Sequence, residues 1–240
     1  MSATSKKHNE LLEQGSNSDR VQFFSDAVFA IAMTLLVIDL TVPMISGYNA
    51  MSDAGKSTAL WQGIRDQSQQ FLAYGIGFYI LAVNWIGHHN RFRVVRRYDS
   101  TTVTLNLVLL FFVAFVPYPV SLISEYSGEM PSVILFAGIV SVLSILQFAT
   151  WSYSFSKGYL DKKVDLALYR FVRRNMFVSP MIFLVSIPVG FIWGGDWAMY
   201  FWILNLPFSR IVAGWEPKSE RLAEAKRAAD AAEEEKPKGA

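Results

Sequence analysis

Apolar residues in this chain are gathered into six long blocks, separated by polar, charged or glycine- and proline-containing segments. The blocks belong to segments at about 20–42, 59–89, 101–123, 131–156, 176–194 and 197–215. The second begins with amphipathic turns, so residues 71–87 are its apolar part. Such blocks approach the roughly 20 residues with which an α-helix crosses a bilayer core of about 30 Å. The pattern therefore predicts an all-α integral membrane protein with six transmembrane helices.

The segments between the blocks predict how the helices are connected. Residues 43–58 contain glycine, asparagine and serine, as exposed connections do. Pro117 and Pro119 remove backbone donors and are expected to bend the third helix near its end. The segment 157–174 carries six basic side chains and is interpreted as a basic loop. We expect a polar cytoplasmic N-tail at 1–19, a six-helix transmembrane domain at 20–215 and a charged, mobile cytoplasmic C-tail at 216–240.

Composition supports the membrane assignment, and the distribution of charge predicts orientation. The 240 residues are 52% hydrophobic and only 18% charged, whereas soluble domains carry more charge. With six helices, both tails and the loops after helices two and four share one side, which holds 20 of the 22 lysines and arginines. Basic residues concentrate on the cytoplasmic side. We therefore expect a multi-pass protein of the cell inner membrane or plasma membrane with both termini in the cytoplasm.

Composition also excludes several classes of partner and site. The net charge of +2 gives no indication of nucleic acid binding. The chain contains no cysteine, which rules out disulfides and thiolate metal sites. We expect no cofactor. A membrane enzyme is disfavoured, because the sequence contains no readable nucleophile–base pair, metal cluster or phosphate loop.

The first helix carries two kinds of side chain on different faces. At 100° per residue, with Ile31 set to zero, Leu35 lies at about +40°, Ile38 at about −20° and Thr34 at about −60°. These residues form a stripe along the helix. Ser25 and Asp26 fall at about +120° and −140°, on the far side. The aliphatic stripe and the polar pair therefore face different surroundings.

Each face has more than one interpretation. A stripe of isoleucine and leucine at helical spacing is typical of packing or lipid contact, and it can also line a pore. Asp26, turned away from the stripe, is either a structural acceptor or a proton carrier. Asp39, near the other end, either concentrates cations at an outer mouth or pairs with Lys56 or Arg65.

The end of the second helix supplies partners for the polar pair. His88 and His89 are adjacent and point about 100° apart on a helix, so they do not readily chelate one metal ion. A hydrogen-bond cluster inside the bundle suits these residues better, because hydrocarbon leaves no water to satisfy polar groups. We expect it to join Arg20, Ser25 and Asp26 to His88 or His89, Trp85 and Asn106.

The motifs around these residues resemble those of the transmembrane protein 175 family. Arg20, Phe24, Ser25 and Asp26 form the pattern R-x-x-x-F-S-D, followed by A-V-F-A-I-A-M-T-L-L-V-I-D-L. The segment W-x-x-H-H-x-x-F at Trp85 to Phe92, then R-Y-D and L-N-L-V-L-L-F-F-V-A-F-V-P-Y-P, resembles the second and third helices of the family. The likeness in motif covers about 20–123.

The resemblance implies an endolysosomal-type potassium channel of the prokaryotic form, with one six-helix repeat per subunit and four subunits around a central pore. The first helix lines that pore, and large aliphatic side chains form the constriction. The constriction isoleucine of the family matches Ile31, with Leu35 and Ile38 beyond it, and Thr34 matches the position that offers a hydroxyl to potassium. The motif Arg20, Phe24, Ser25 and Asp26 is held by contacts with the second and third helices. The sequence has no T-V-G-Y-G carbonyl filter.

Two functions follow as hypotheses. The first is a homotetrameric potassium-permeable cation channel with a hydrophobic constriction, whose partners are further copies of the chain, membrane lipid and potassium ions. The second is a proton-coupled secondary transporter, in which Asp26 and a histidine of the second helix titrate.

Overall fold

Nine α-helices and two short 3-10 helices make up the part of the chain that the structure, a computed structural model, describes. That part is residues 16–204, with side chains from residue 20 onward. The α-helices are α1 Ser16–Leu35, α2 Asp53–Asp66, α3 Ser68–Phe92, α4 Ser100–Phe115, α5 Pro117–Glu125, α6 Met130–Ser156, α7 Leu166–Met176, α8 Val178–Trp193 and α9 Gly195–Trp202. The 3-10 helices are Leu36–Asp39 and Tyr48–Ala50. The prediction of an all-α protein is confirmed for these residues.

Within residues 16–204, five helical stretches are long and apolar enough to cross a membrane. They are Arg20–Asp39, Ser68–Phe92, Ser100–Glu125, Met130–Ser156 and Leu166–Trp193. The expected sixth helix begins as α9, and residues 205–215 lie outside the described residues. The tails expected at 1–19 and 216–240 also lie outside them, apart from the start of α1 at Ser16.

The first helix begins at Ser16 and ends before the predicted Val42, because its hydrogen-bond pattern tightens near the end. The α-helix ends at Leu35 and continues as the 3-10 turn Leu36–Asp39, after which Leu40 is extended. A 3-10 turn advances about 120° per residue rather than 100°. This change keeps Ile38 close to the stripe and rotates Asp39 towards the packed side of the helix.

The second helix is not continuous from 59 to 89. It is divided at Gln67 into α2 and α3, and α2 begins six residues earlier than expected. The hydroxyl of Ser52 caps α2 by accepting a hydrogen bond from the backbone N–H of Gly55 at 3.3 Å. At the division, the side-chain amide of Gln67 donates to the carbonyl of Thr41 at 2.7 Å. This hydrogen bond holds the connection after the first helix against the start of α3.

The third membrane helix is interrupted at Val116, next to the prolines that were expected to bend it. It ends as α4 at Phe115 and resumes as α5 at Pro117. Proline is well suited to the first position of a helix, where the missing N–H would have no intrahelical acceptor.

The predicted basic loop at 157–174 is wrong in its second half, which is helix α7. Asp165 caps this helix by accepting a hydrogen bond from the N–H of Leu168 at 2.8 Å. Tyr169, Val172 and Met176 recur at helical spacing and turn towards the protein, while Arg173 is exposed. This segment is an amphipathic helix, and its basic residues obscured the apolar spacing.

The interior is centred on α6, against which α4, α8 and α9 pack. The rings of Phe136, Phe183 and Trp202 meet there, with centroid separations of 4.8–6.0 Å. In the most apolar part of α6, 56% of the residues are buried, against 22% in the first helix. An apolar helix that buries so little of itself within one subunit has a surface available for lipid or for another subunit.

The loop that follows α3 and the loop that follows α6 are joined by hydrogen bonds. The backbone N–H groups of Arg96 and Asp161 donate to the carbonyls of Tyr159 and Val94, each at 2.8 Å. The guanidinium of Arg96 donates twice to the carboxylate of Asp161, at 2.5 and 2.8 Å. These contacts fix the loop before α4 against the loop before α7.

Candidate functional site

One face of α1 is fastened to α3 and α4 by a chain of buried side chains. The Ser25 hydroxyl donates to the Val21 carbonyl at 2.8 Å and accepts a hydrogen bond from the amide of Asn106 at 2.9 Å. The Asn106 carbonyl oxygen lies 2.8 Å from Nε2 of His88. Because that oxygen can only accept, His88 is assigned the tautomer protonated at Nε2. The chain thus joins the first, second and third membrane helices.

Beside His88 lies a small cavity of about 10 Å³ that borders α3, α4 and α6. Nδ1 of His88, Nε1 of Trp151 and Oγ of Ser154 are buried and have no hydrogen-bond partner within residues 20–204. All three residues line the cavity. Its size and polar atoms suit a single bridging water.

Asp26 is held by a second group of contacts, nearer the surface of the bundle. Nε1 of Trp85 donates to its Oδ1 at 2.8 Å, and Nδ1 of His89 lies 3.4 Å from the same oxygen. The amide nitrogen of Gln22 is 3.2 Å from that Nδ1. Nδ1 can accept from Gln22 or donate to Asp26, but not both. Asp26 is therefore anchored chiefly by Trp85.

The structure does not bring Arg20 and Phe24 into this cluster. Both are exposed, and no hydrogen bond described for the chain links Arg20 to Asp26. At 100° per residue from Ile31, they fall at about −20° and +20°. The expectation that Arg20 joins the polar network is therefore wrong for the single subunit, because its position places it on the stripe.

The stripe itself is exposed along the length of the first helix. Ile31, Leu35 and Ile38 are 58%, 40% and 67% exposed, and Thr34 lies among them, also exposed. The buried residues Ser25, Phe29, Ala32 and Leu36 lie on the opposite face. The Thr34 hydroxyl donates its hydrogen to the Ile31 carbonyl at 2.8 Å. Its oxygen therefore retains lone pairs that can meet a cation.

Asp39 lies at the far end of the stripe, where its carboxylate accepts a hydrogen bond from Ser121 of α5. The alternative ion pairs are not formed among the described residues. Lys56 instead pairs with Asp53 at 3.5 Å. Asp39 is exposed and is held by α5.

Sequence reasoning missed two groups that contribute here. Gln22 precedes Asp26 by four residues and shares its helix face, so its spacing was a usable signal. Asn84 accepts a hydrogen bond from the amide of Gln147 at 2.9 Å, across 63 residues of chain. No local pattern indicates that pairing.

Comparison with known proteins places these features in a family. Residues 20–117 match the family model described as endosomal/lysosomal potassium channel TMEM175. A potassium channel of Streptomyces collinus is 31% identical over 182 residues, which are 74% of this chain and 84% of that protein. The chain belongs to the TMEM175 family.

Further members show how widely the likeness extends. The crystal structure of a Chamaesiphon minutus homologue of the lysosomal potassium-selective channel TMEM175 superposes with a TM-score of 0.67. It is 26% identical and covers 82% of this chain and 98% of that one. TMEM175 of Bos taurus, named an endosomal/lysosomal proton channel, is 29% identical over 145 residues, 59% of this chain and 30% of that protein. The TMEM175 proteins are ion channels and not enzymes.

Proposed function

We propose that this protein is a potassium-permeable cation channel of the cell membrane, built from four copies whose first helices surround a central pore. The observation that carries the proposal is the exposed stripe of Ile31, Leu35 and Ile38 on a helix fastened at its back. Prokaryotic TMEM175 relatives named potassium channels support it.

The constriction consists of aliphatic rings. Four copies of Ile31 meet on the axis, and those of Ile38 form a second ring about 10 Å further along, at 1.5 Å per residue. A narrow aliphatic neck excludes water, so dewetting alone stops ions until the neck widens. The exposed oxygen of Thr34 lies between the two rings and replaces part of the hydration shell of a passing cation. Asp39 is held by Ser121 beyond Ile38 but stays exposed, so its charge attracts cations to the outer mouth without lying on the axis.

The same proposal includes six helices per subunit, the last of which begins as α9, and both termini in the cytoplasm. The distribution of basic residues supports this orientation, since 20 of 22 fall on one side. The contacts of Ser25 with Asn106 and of Asp26 with Trp85 then lie near the cytoplasmic end of the pore helix. These contacts hold the polar face of the helix against the bundle and leave its aliphatic face free to line the pore.

The deciding experiment measures potassium and sodium currents of the reconstituted protein in planar bilayers or liposomes. Polar substitutions Ile31→Asn and Ile38→Asn are expected to wet the constriction and raise conductance. Ile145→Asn is the matched control, since Ile145 is 53% exposed but lies on α6. Equal currents in the wild type and both stripe variants would show that the stripe faces lipid instead.

Proton transport is the second candidate. The distance of 3.4 Å between Asp26 and Nδ1 of His89 favours it, as do the animal relatives that are named proton channels. Asp26→Asn keeps an oxygen for Trp85 but cannot exchange a proton with His89. Loss of pH-driven proton flux at unchanged potassium current would support this second function. Unchanged proton flux would assign Asp26 a structural role.

A further inference from the structure

A polar cavity lies away from the stripe, between α3, α6, α7 and α8. Its volume is about 330 Å³, within the range of small-ligand pockets. Amides and hydroxyls dominate its polar lining, together with one charged group. These residues are Asn84, Asn90, Arg91, Ser144, Gln147, Asn175 and Ser179.

The charged group is the guanidinium of Arg91, which folds back over its own helix. A Cβ on Gly87, one turn earlier, would lie only 3.0–3.1 Å from the two terminal guanidinium nitrogens. The bare glycine therefore provides the space that the guanidinium occupies. Arg91 borders both this cavity and the smaller one beside His88.

No carboxylate within residues 20–204 neutralises Arg91. None lines either cavity, and the described ion pairs join other residues. A cation held among helices without a counter-charge is costly. An anion with oxygen atoms would offset that cost, because the guanidinium fork matches phosphate geometry.

The amides in the cavity differ in how many of their hydrogen bonds are already made within the protein. Asn84 is used twice, since its amide nitrogen donates to the Ile80 carbonyl at 2.8 Å and its oxygen accepts from Gln147. The oxygen of Asn175, in contrast, is buried without a hydrogen-bond partner in the described part of the chain. A ligand hydroxyl beside the anionic group would satisfy it.

An apolar groove lies next to the polar cavity. Val178 lines both, and the groove follows α8 through Met181 and Val185, with a volume of about 530 Å³. Phe177, Ile182, Phe201 and Leu204 complete its lining. A polar pocket beside an apolar groove on a membrane helix fits an amphiphile better than a free ion.

The helix α7 adds positive charge outside the cavity. Val172, Asn175 and Met176 face inward, whereas Arg170, Arg173 and Arg174 are exposed. Basic amphipathic helices of this kind lie at the interface of membranes that contain anionic lipids.

We propose that this cavity binds the phosphate headgroup of an anionic phospholipid. Arg91 contacts the phosphate, Asn175 accepts from a headgroup hydroxyl, and an acyl chain lies in the groove along α8. The site is separate from the aliphatic stripe, so its test does not depend on conduction.

The experiment is native mass spectrometry of the full-length protein in detergent, titrated with phosphatidylglycerol and with phosphatidylcholine of the same acyl chains. Wild type is expected to bind phosphatidylglycerol about tenfold more tightly. Both lipids carry a phosphate, but the quaternary ammonium of choline cancels its charge and choline has no hydroxyl to donate to the oxygen of Asn175. Arg91→Gln should remove that preference. Arg93→Gln is the matched control, since Arg93 is exposed at the same helix end and does not line the cavity. It should retain the preference.

Two further measurements test the role of the Arg91 guanidinium and distinguish a lipid from free phosphate. Gly87→Ala retains the charge but displaces the guanidinium, and it should weaken phosphatidylglycerol binding even if Arg91→Gln does not fold. Inorganic phosphate is added as a competitor. Displacement of the lipid by millimolar phosphate alone would identify a free phosphate as the ligand and overturn the lipid assignment. Equal binding of the two lipids, or equal losses in Arg91→Gln and Arg93→Gln, would overturn the site.

Discussion

Asn106, on α4, donates a hydrogen bond of 2.9 Å to the hydroxyl of Ser25, which lies 81 residues earlier on α1. Its carbonyl oxygen simultaneously meets Nε2 of His88 at 2.8 Å. One amide thus connects three membrane helices, and all three side chains are almost completely buried. Asn106 therefore helps to position the first helix, together with the contact between Trp85 and Asp26.

Asn106→Leu is expected to destabilise the protein by about 1–3 kcal/mol, because it leaves the buried N–H of His88 without an acceptor. Thermal unfolding in detergent measures the effect. A double-mutant cycle with Ser25→Ala separates the shared contact from the rest. Asn49→Leu, on an exposed turn, serves as the control. Equal stability of Asn106→Leu and wild type would show that the chain of contacts is not needed.

Asp99 gives the protein an acid-sensitive contact at the start of α4. Burial, the largest influence, acts to raise the pKa of Asp99, but hydrogen bonds from Tyr153 and Thr102 outweigh it and hold the pKa below its usual range. The Tyr153 hydroxyl donates at 2.5 Å, and the backbone N–H and the hydroxyl of Thr102 donate at 2.8 Å. The carboxylate form is therefore favoured in the folded state.

The sign of the pH dependence follows from that lowered pKa. The stabilisation is fully present above the unfolded value of about 3.9 and is lost as pH falls through the lower folded value. Melting temperatures of wild type and Asp99→Asn, measured between pH 7 and 3, should differ above about pH 4 and converge below it. Asp66→Asn, at an exposed carboxylate, controls for the loss of one charge. A constant difference down to pH 3 would contradict the assignment.

Gly195, where α8 meets α9, packs closely against the turn that contains Gly128. A Cβ there would lie 2.0 Å from the carbonyl oxygen of Gly128, so the backbone itself must move. Gly195→Ala is expected to cost about 1–3 kcal/mol or more, in the range of overpacked sites. Gly75→Ala on α3 has open space and should be neutral or stabilise the helix by up to about 1 kcal/mol. Thermal unfolding compares the two; equal melting temperatures would contradict the close contact.

The parts of the fold that depend on local periodicity could be predicted from the sequence. The helical angles separated Ser25 from Ile31 because a 3.6-residue period fixes which side chains share a face. The interruption of the helix before Pro117 was predictable because proline removes a backbone donor. The expectation that Arg20 joins the polar network rested on the R-x-x-x-F-S-D motif. The helical angle of Arg20, in contrast, places it on the aliphatic stripe.

Other features depend on contacts that no local pattern contains. The 3-10 turn at Leu36–Asp39 changes the angle of Asp39, and the partner of that carboxylate, Ser121, comes from α5. The cavity around Arg91 forms where four helices meet, and the other three contribute residues more than 50 positions away from Arg91 along the chain. Helix α7 did carry a signal, the spacing of Tyr169, Val172 and Met176, beneath its basic residues.

Thr34 provides the sharpest test of the proposed pore, because its oxygen can be removed without changing the volume of the side chain. Its hydrogen is already donated to the Ile31 carbonyl, so the group facing outward is an acceptor suited to a cation. Thr34→Val should lower potassium conductance by about tenfold, the equivalent of roughly 1.4 kcal/mol, while Thr34→Ser should retain most of it. Thr104→Val is the matched control, since Thr104 is exposed and bonds to the Ser100 carbonyl at 2.8 Å in the same way, but on α4. Single-channel recording under equal potassium and sodium gradients measures both conductance and selectivity. If Thr34→Val and Thr104→Val conduct alike, the hydroxyl does not meet the ion and the stripe faces another surface.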